Sequence, residues 1–326
     1  MSNNNENSSL IEKFDEEVGF KKNLKTWNLK LIGFIAISWS LFQLWYASPL
    51  PFILDFGKLI DVPARAVHLA FGLTLCFLVY PVLKSKKKTQ ISTIDFLFVI
   101  LVLITTLYLA TDYEGLVYRQ GVLAKIQIGS LTIPYEIIIG TIGILLLLEG
   151  TRRAIGIPLV VIAVVFLLFS VFGQVMPDLI SHQGLSIKRL VGYHWFGGEA
   201  IFGIPISVSV SFIFLFVLFG AILDVAGGGK YFLNLAFALV GKMRGGPAKA
   251  AILASGLTGL ISGSSVANTV TTGTFTIPIM KKTGLPAVKA GAIEVAASVN
   301  GQIMPPIMGA AAFVMAELLG ISYFTV

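Results

Sequence analysis

Between Ala250 and Met280 the chain has no charged residue, yet Ser255 to Thr276 contains ten Ser or Thr residues together with Asn268, Gly256, Gly259, Gly263 and Gly273. Hydroxyls, the Asn268 amide and any main-chain carbonyls freed from a helix are hard oxygen ligands for a small cation. The N–H groups at a helix N-terminus, in turn, favour an anion. Hydrocarbon cannot satisfy exposed backbone groups, so non-helical backbone at membrane depth survives only against protein or a water-filled cavity. The run Ile261-Ser262-Gly263-Ser264-Ser265-Val266-Ala267-Asn268 supplies the small polar residues such a break requires. We expect a helical hairpin that enters and returns on one side of the membrane, with its tip near Gly263 to Ser265.

A second break is expected at Ser298-Val299-Asn300-Gly301-Gln302-Ile303-Met304-Pro305-Pro306. Pro305 has no backbone donor, and the proline pair frees carbonyls upstream. Asn300 and Gln302 flank the gap. Two polar, interrupted segments in one membrane chain are the pattern of the discontinuous helices of secondary transporters, which bind near the midplane. Glu294 is the only charge between Lys289 and Glu317, and an intramembrane carboxylate is a functional hypothesis by default.

Blander readings compete with each of these. Small-residue runs also serve close helix packing, and Gly259 to Gly263 has the GxxxG spacing that suits it. Asn268 and the separate Asn-Gly-Gln break with its proline pair tip the balance toward a binding site. His68, His182 and His194 lack partners at metal-ligand spacing, which points to structural or interfacial roles. Gly227-Gly228-Gly229-Lys230 only superficially resembles a phosphate loop, because Tyr231 stands where Ser or Thr is required.

The elements that must position these groups follow from composition. The 326 residues are 56% hydrophobic and 13% charged, with a mean hydropathy of +0.86. About a quarter of a soluble chain is charged, so this is a membrane protein. The single cysteine, Cys76, lies in an apolar run and excludes a disulfide scaffold. Spans of roughly 20 residues are expected near residues 29–48, 64–83, 94–111, 135–150, 154–173 and 202–223. Residues 1–28 are polar, lack a signal-peptide core, and read as a cytoplasmic tail. Behind the net charge of +7 are 24 Lys and Arg residues, fifteen on alternate loops and six on the opposite ones, with Lys281, Lys282 and Lys289 flanking the polar breaks and assigned to neither. That bias puts the N-terminus in the cytoplasm and leaves no basic face for nucleic acid. Tyr193, His194 and Trp195, within residues 174–200, are expected in a lid or interfacial segment.

Several motifs, in order, also resemble the large membrane subunit of tripartite ATP-independent periplasmic (TRAP) transporters. They are Arg244-Gly245-Gly246-Pro247-Ala248-Lys249, the Ile261–Asn268 run, Ile277-Pro278-Ile279-Met280-Lys281-Lys282, and Gly301-Gln302-Ile303-Met304-Pro305-Pro306-Ile307-Met308-Gly309-Ala310. Similar too are His68-Leu69-Ala70-Phe71, Leu148-Glu149-Gly150-Thr151-Arg152-Arg153 and Phe202-Gly203-Ile204-Pro205. The pattern looks like fused permeases in which a four-helix small subunit precedes the large one, the type that works with TAXI-class binding proteins.

The resemblance implies an all-α polytopic elevator-type carrier of the inner membrane. Its parts would be a four-helix module over residues 29–150 and the beginning of the large-subunit transport module over 151–326. It implies import of an organic anion, such as a C4-dicarboxylate, delivered by a periplasmic TAXI-type binding protein and coupled to sodium, with no other cofactor. Carried over residue by residue, Ser262, Gly263, Ser264, Ser265 and Asn268 form the hairpin tip, and Thr269 and Thr272 follow it. Asn300, Gly301, Gln302, Pro305 and Pro306 form the unwound helix. The family has a second, inverted half. The chain is therefore expected to be a truncated product, a split gene or a fragment, with a second sodium site missing.

A pore-forming channel subunit is the alternative, since selectivity filters also use main-chain carbonyls. An enzyme is not expected, because Glu294 has no second carboxylate or metal cluster beside it.

Overall fold

A computed structural model describes residues 24, 26–59, 61–82, 91–119, 122–128, 131–263, 265–304 and 309–326. Four of its helices are long and apolar enough to cross a membrane: Thr26–Ala47, Val62–Val79, Thr93–Tyr118 and Ile204–Leu223. Ile157–Val171 is apolar but shorter. The chain divides into two compact units, one ending at Val210 and one beginning, among the described residues, at Ser211.

The first unit contains α1 (Thr26–Ala47), α2 (Val62–Val79), α3 (Thr93–Tyr118), α4 (Tyr135–Ala154), α5 (Ile157–Val171), α6 (Ile187–Val191) and α7 (Ile204–Val208). α1 turns its polar groups inward and its apolar ones outward, while α2, α3 and α4 pack an apolar cluster of Leu73, Phe77, Val102 and Leu146. In α1 the buried residues are Asn28 and Gln43, while Phe34, Ile37 and Leu41 are exposed. Gln43 Nε2 donates to the Val210 carbonyl over 3.0 Å. α5 buries none of its side chains. This arrangement suits lipid, where helices gain from internal hydrogen bonds and not from hiding apolar surface.

The buried charged residues of the unit, Asp95, Glu136 and Arg153, are paired. Arg153, whose side chain is fully buried, donates from Nη1 to Asp95 over 2.7 Å and from Nε to Glu149 over 2.7 Å. Its guanidinium lies 4.7 Å from the centroid of the Phe77 ring. Asp95 also closes a capping box with Ser92 at the start of α3. Near the other end of α3, the buried Glu136 accepts from Arg119 over 2.5 Å, from Tyr108 over 2.6 Å and from the Ala124 amide.

One expectation is corrected. Trp195 is not at an interface. It is fully buried, in a π-helical turn spanning Gly192–Phe196, and a Cβ at Gly143 of α4 would overlap its indole. Tyr193, by contrast, is exposed. The all-α expectation holds; among the described residues the strands are one short antiparallel hairpin of β1 (Ile126–Ile128) and β2 (Leu131–Ile133), with Gln127 opposite Thr132.

In the second unit, a π-helical turn (Ser209–Ile213) leads into α8 (Phe214–Val225). Then come α9 (Gly228–Val240), α10 (Gly246–Ser262), α11 (Ser265–Lys282), α12 (Ala287–Gly301) and α13 (Ala310–Leu319). α10, α11 and α12 pack on one another around Ala251, Met280 and Ala290. Small residues set this packing: a Cβ added at Gly259 of α10 would come within 2.5 Å of the Gly301 Cα on α12.

Candidate functional site

The expected hairpin is present. α10 ends at Ser262, Gly263 takes a left-handed φ of 57°, and α11 begins at Ser265. A residue with a Cβ would be strained at Gly263, which is why glycine reverses the chain there. The side chain of Ser262 and all of Ser264 lie outside the described residues, as do Pro305 and Pro306.

The second break is also present, but it starts later than expected. α12 runs through Ser298, Val299 and Asn300 to Gly301, and Gln302 caps it. Beyond it the turn tightens, with the amides of Gln302, Ile303 and Met304 donating to the carbonyls of Val299, Asn300 and Gly301. The two breaks lie close together. The Gly309 amide donates to the Gln302 carbonyl over 2.5 Å, and a Cβ at Gly309 would lie 3.6 Å from the Gly263 carbonyl oxygen.

Beneath the tip, polar side chains from the three helices close a ring. Asn268 Nδ2 donates to the Ser255 carbonyl over 2.7 Å and to Ser255 Oγ over 3.0 Å. Ser255 Oγ shares a 3.1 Å hydrogen bond with Ser298 Oγ, and Ser298 Oγ reaches Glu294 Oε1 at 3.4 Å. Glu294 Oε1 also bonds Thr272 Oγ1, which in turn reaches the Asn268 carbonyl at 2.7 Å. Thr276 Oγ1 lies 2.5 Å from Glu294 Oε2 and 3.0 Å from the Thr272 carbonyl. All six side chains are buried.

Of the residues expected from sequence, Asn268 and Thr272 therefore join one constellation, and Gly301 packs against it, within 3.2 Å of the Ser255 carbonyl at its hypothetical Cβ. Ser265 contributes its carbonyl to Thr269 Oγ1 over 2.8 Å. Asn300 is exposed and Gln302 half-buried, outside the ring. Ser255, Thr276 and Ser298 were missing from the expected set, and Glu294 had no role assigned. The signal for them is spacing: Asn268, Thr272 and Thr276 recur every four residues, as do Glu294 and Ser298, which places each set on one helix face.

A cavity of about 500 Å³ adjoins the second hairpin arm, lined by Lys230 and Asn234 of α9 and by Thr271, Thr272 and Phe275 of α11. Elsewhere His68 is structural, as expected, held by Trp39 Nε1 at 3.2 Å and Ser209 Oγ at 3.0 Å. Among the described residues there is no cluster of His, Cys, Asp and Glu able to hold a metal ion.

The family described as tripartite ATP-independent periplasmic transporter, DctM component, matches residues 142–326. Similar curated proteins include the uncharacterized protein YgiK of Salmonella typhimurium, 32% identical over 173 residues, which are 53% of this chain and 35% of that one. A putative TRAP transporter large permease protein of Haemophilus influenzae is 35% identical over 100 residues, 31% of this chain and 24% of that one. The C4-dicarboxylate TRAP transporter large permease protein DctM of Pseudomonas aeruginosa is 36% identical over 91 residues, 28% and 21% of the two chains. The chain thus spans about a third or less of the length of these relatives. No solved structure matches it significantly. With more than half of its length matched, and with a broken hairpin and an interrupted helix meeting at one polar site, the chain belongs to the DctM component family of tripartite ATP-independent periplasmic transporters.

Proposed function

We propose that the chain is a permease component of a sodium-coupled TRAP transporter of the inner membrane. It would import an organic anion, of the C4-dicarboxylate class or a related acid, delivered by a periplasmic binding protein of the TAXI type. The observation that carries this reading is the meeting of the two helix breaks over a buried oxygen-rich site.

The residues fit a sodium ion. Asn268 Oδ1 is buried without a hydrogen-bond partner among the described residues, and the ring that Asn268 joins carries hydroxyl, carbonyl and carboxylate oxygens. These are the ligands a hard cation prefers. Sodium would supply positive charge at the breaks, and the chain's own residues would hold it: Asn268, Thr269 and Thr272 from the hairpin, with the carbonyls around Gly301 and Gln302. Lys230 and Asn234 in the adjoining cavity offer a cation and an amide that suit a carboxylate.

The excess of Lys and Arg on alternate loops supports an N-terminus in the cytoplasm. An elevator motion, with the hairpin helices moving against the four-helix module, is the transport mode this reading adopts, together with a fused small subunit over residues 29–150.

The test is uptake in proteoliposomes. A sodium gradient is expected to drive accumulation of a labelled C4-dicarboxylate, with no effect of an equal potassium gradient, and only when the binding protein is supplied. Accumulation independent of sodium would overturn the coupling. Single-channel currents without a binding protein would establish a pore instead.

A further inference from the structure

Glu294 is fully buried, yet it takes part in none of the ion pairs formed among the described residues. A buried charge without a partner is costly and is normally compensated or neutralised. The hydrogen-bond partners of Glu294 among the described residues are the hydroxyls of Thr272, Thr276 and Ser298. Thr272 and Thr276 each have one proton, and each lies within hydrogen-bonding distance both of a carboxylate oxygen and of the carbonyl four residues back. When the proton goes to the carbonyl, two oxygen atoms face one another with nothing positive between them. Asn268, whose Nδ2 joins the ring, has in Oδ1 a further buried acceptor with no hydrogen-bond partner among the described residues. Among the described residues the cluster offers more acceptors than donors, around a carboxyl group that no cation pairs.

We infer that this ring is a seat for a monovalent cation, with the Glu294 carboxylate as its charged ligand and the hydroxyls of Thr272, Thr276 and Ser298 and the Asn268 amide oxygen as neutral ones. The inference deepens the sodium reading above and rests on it. It moves the centre of the site from the hairpin tip to the turn beneath, where the charge lies. One carboxylate balances one positive charge. A divalent ion would leave a net charge buried among these helices, and calcium ordinarily takes six to eight oxygens with several carboxylates among them. Thr272 also lines the cavity of about 500 Å³, which gives a cation a route to the ring.

The experiment is equilibrium binding of radioactive sodium to the purified chain in detergent, with choline as the balancing cation. Wild type is expected to bind saturably. Glu294→Gln, which keeps the shape and removes the charge, is expected to weaken binding tenfold or more, a loss on the order expected for a charged interaction. Thr276→Val, which removes one oxygen at nearly constant volume, is expected to weaken it by roughly threefold to tenfold on the same scale. If Glu294→Gln does not fold, as judged by size-exclusion chromatography, Thr276→Val decides. Wild-type affinity in the folded variants overturns the placement at Glu294 while leaving the sodium reading intact. Absence of saturable binding by the wild type overturns both.

Discussion

Asp95 and Glu294 are both almost fully buried carboxylates at the contact of two helices, but their surroundings are opposite. Asp95 faces Arg153 at 2.7 Å, and Arg153 is also tied to Glu149. Its charge is cancelled within the fold, and the network joins the start of α3 to the end of α4. Glu294 has three hydroxyls and no cationic partner among the described residues. The first arrangement is complete as it stands, so it serves architecture. The second is a buried carboxyl group with no ion-pair partner among the described residues, which in a membrane chain is a functional hypothesis by default.

The difference can be broken open by substitution. The largest loss is expected from Arg153→Ala, which strands Asp95: about 3–5 kcal/mol of stability, seen as a lower melting temperature or a failure to purify as a single species. Next come two glycines that separate packing from binding. Gly143→Ala forces a methyl into the Trp195 indole, and Gly259→Ala forces one against the Gly301 backbone. Each should cost about 1–3 kcal/mol, but only Gly259→Ala should also weaken sodium binding, because only it moves α10 against α12. Ser92→Ala, which removes the cap at the start of α3, should cost about 1 kcal/mol. The smallest effect on stability is expected from Glu294→Gln in choline medium. It replaces a carboxyl group that no cationic side chain among the described residues pairs, and a change under about 1 kcal/mol would sharpen the contrast with Arg153→Ala.

Much of this was legible in the sequence. The candidate spans starting at Thr26, Val62, Thr93 and Ile204 lie within a few residues of their expected starts, because runs of apolar residues between charged loops are a direct record of bilayer thickness. Gly263 and Pro305 marked the two breaks because glycine and proline act locally on the backbone. What escaped depends on which helix faces which. Ser255 meets Asn268 only after the chain reverses at Gly263, and Glu294 meets Thr272 and Thr276 only when α11 packs on α12. Trp195 resembled an interfacial residue by composition, and only the glycines of α4 show why it is buried. The strand pair was written plainly as Ile-Gln-Ile-Gly-Ser-Leu-Thr-Ile, an alternating pattern around Gly-Ser that signals a hairpin, and the surrounding helical signal masked it.

The most direct test is thermal unfolding of the purified chain and its Glu294→Gln variant in sodium chloride and in choline chloride. A ligand that binds only the folded state at about 100 times its dissociation constant adds about 2.7 kcal/mol of stability. The expected result is a sodium-specific rise in melting temperature for the wild type that is absent from Glu294→Gln. An equal rise in both proteins would contradict the assignment of the cation to Glu294.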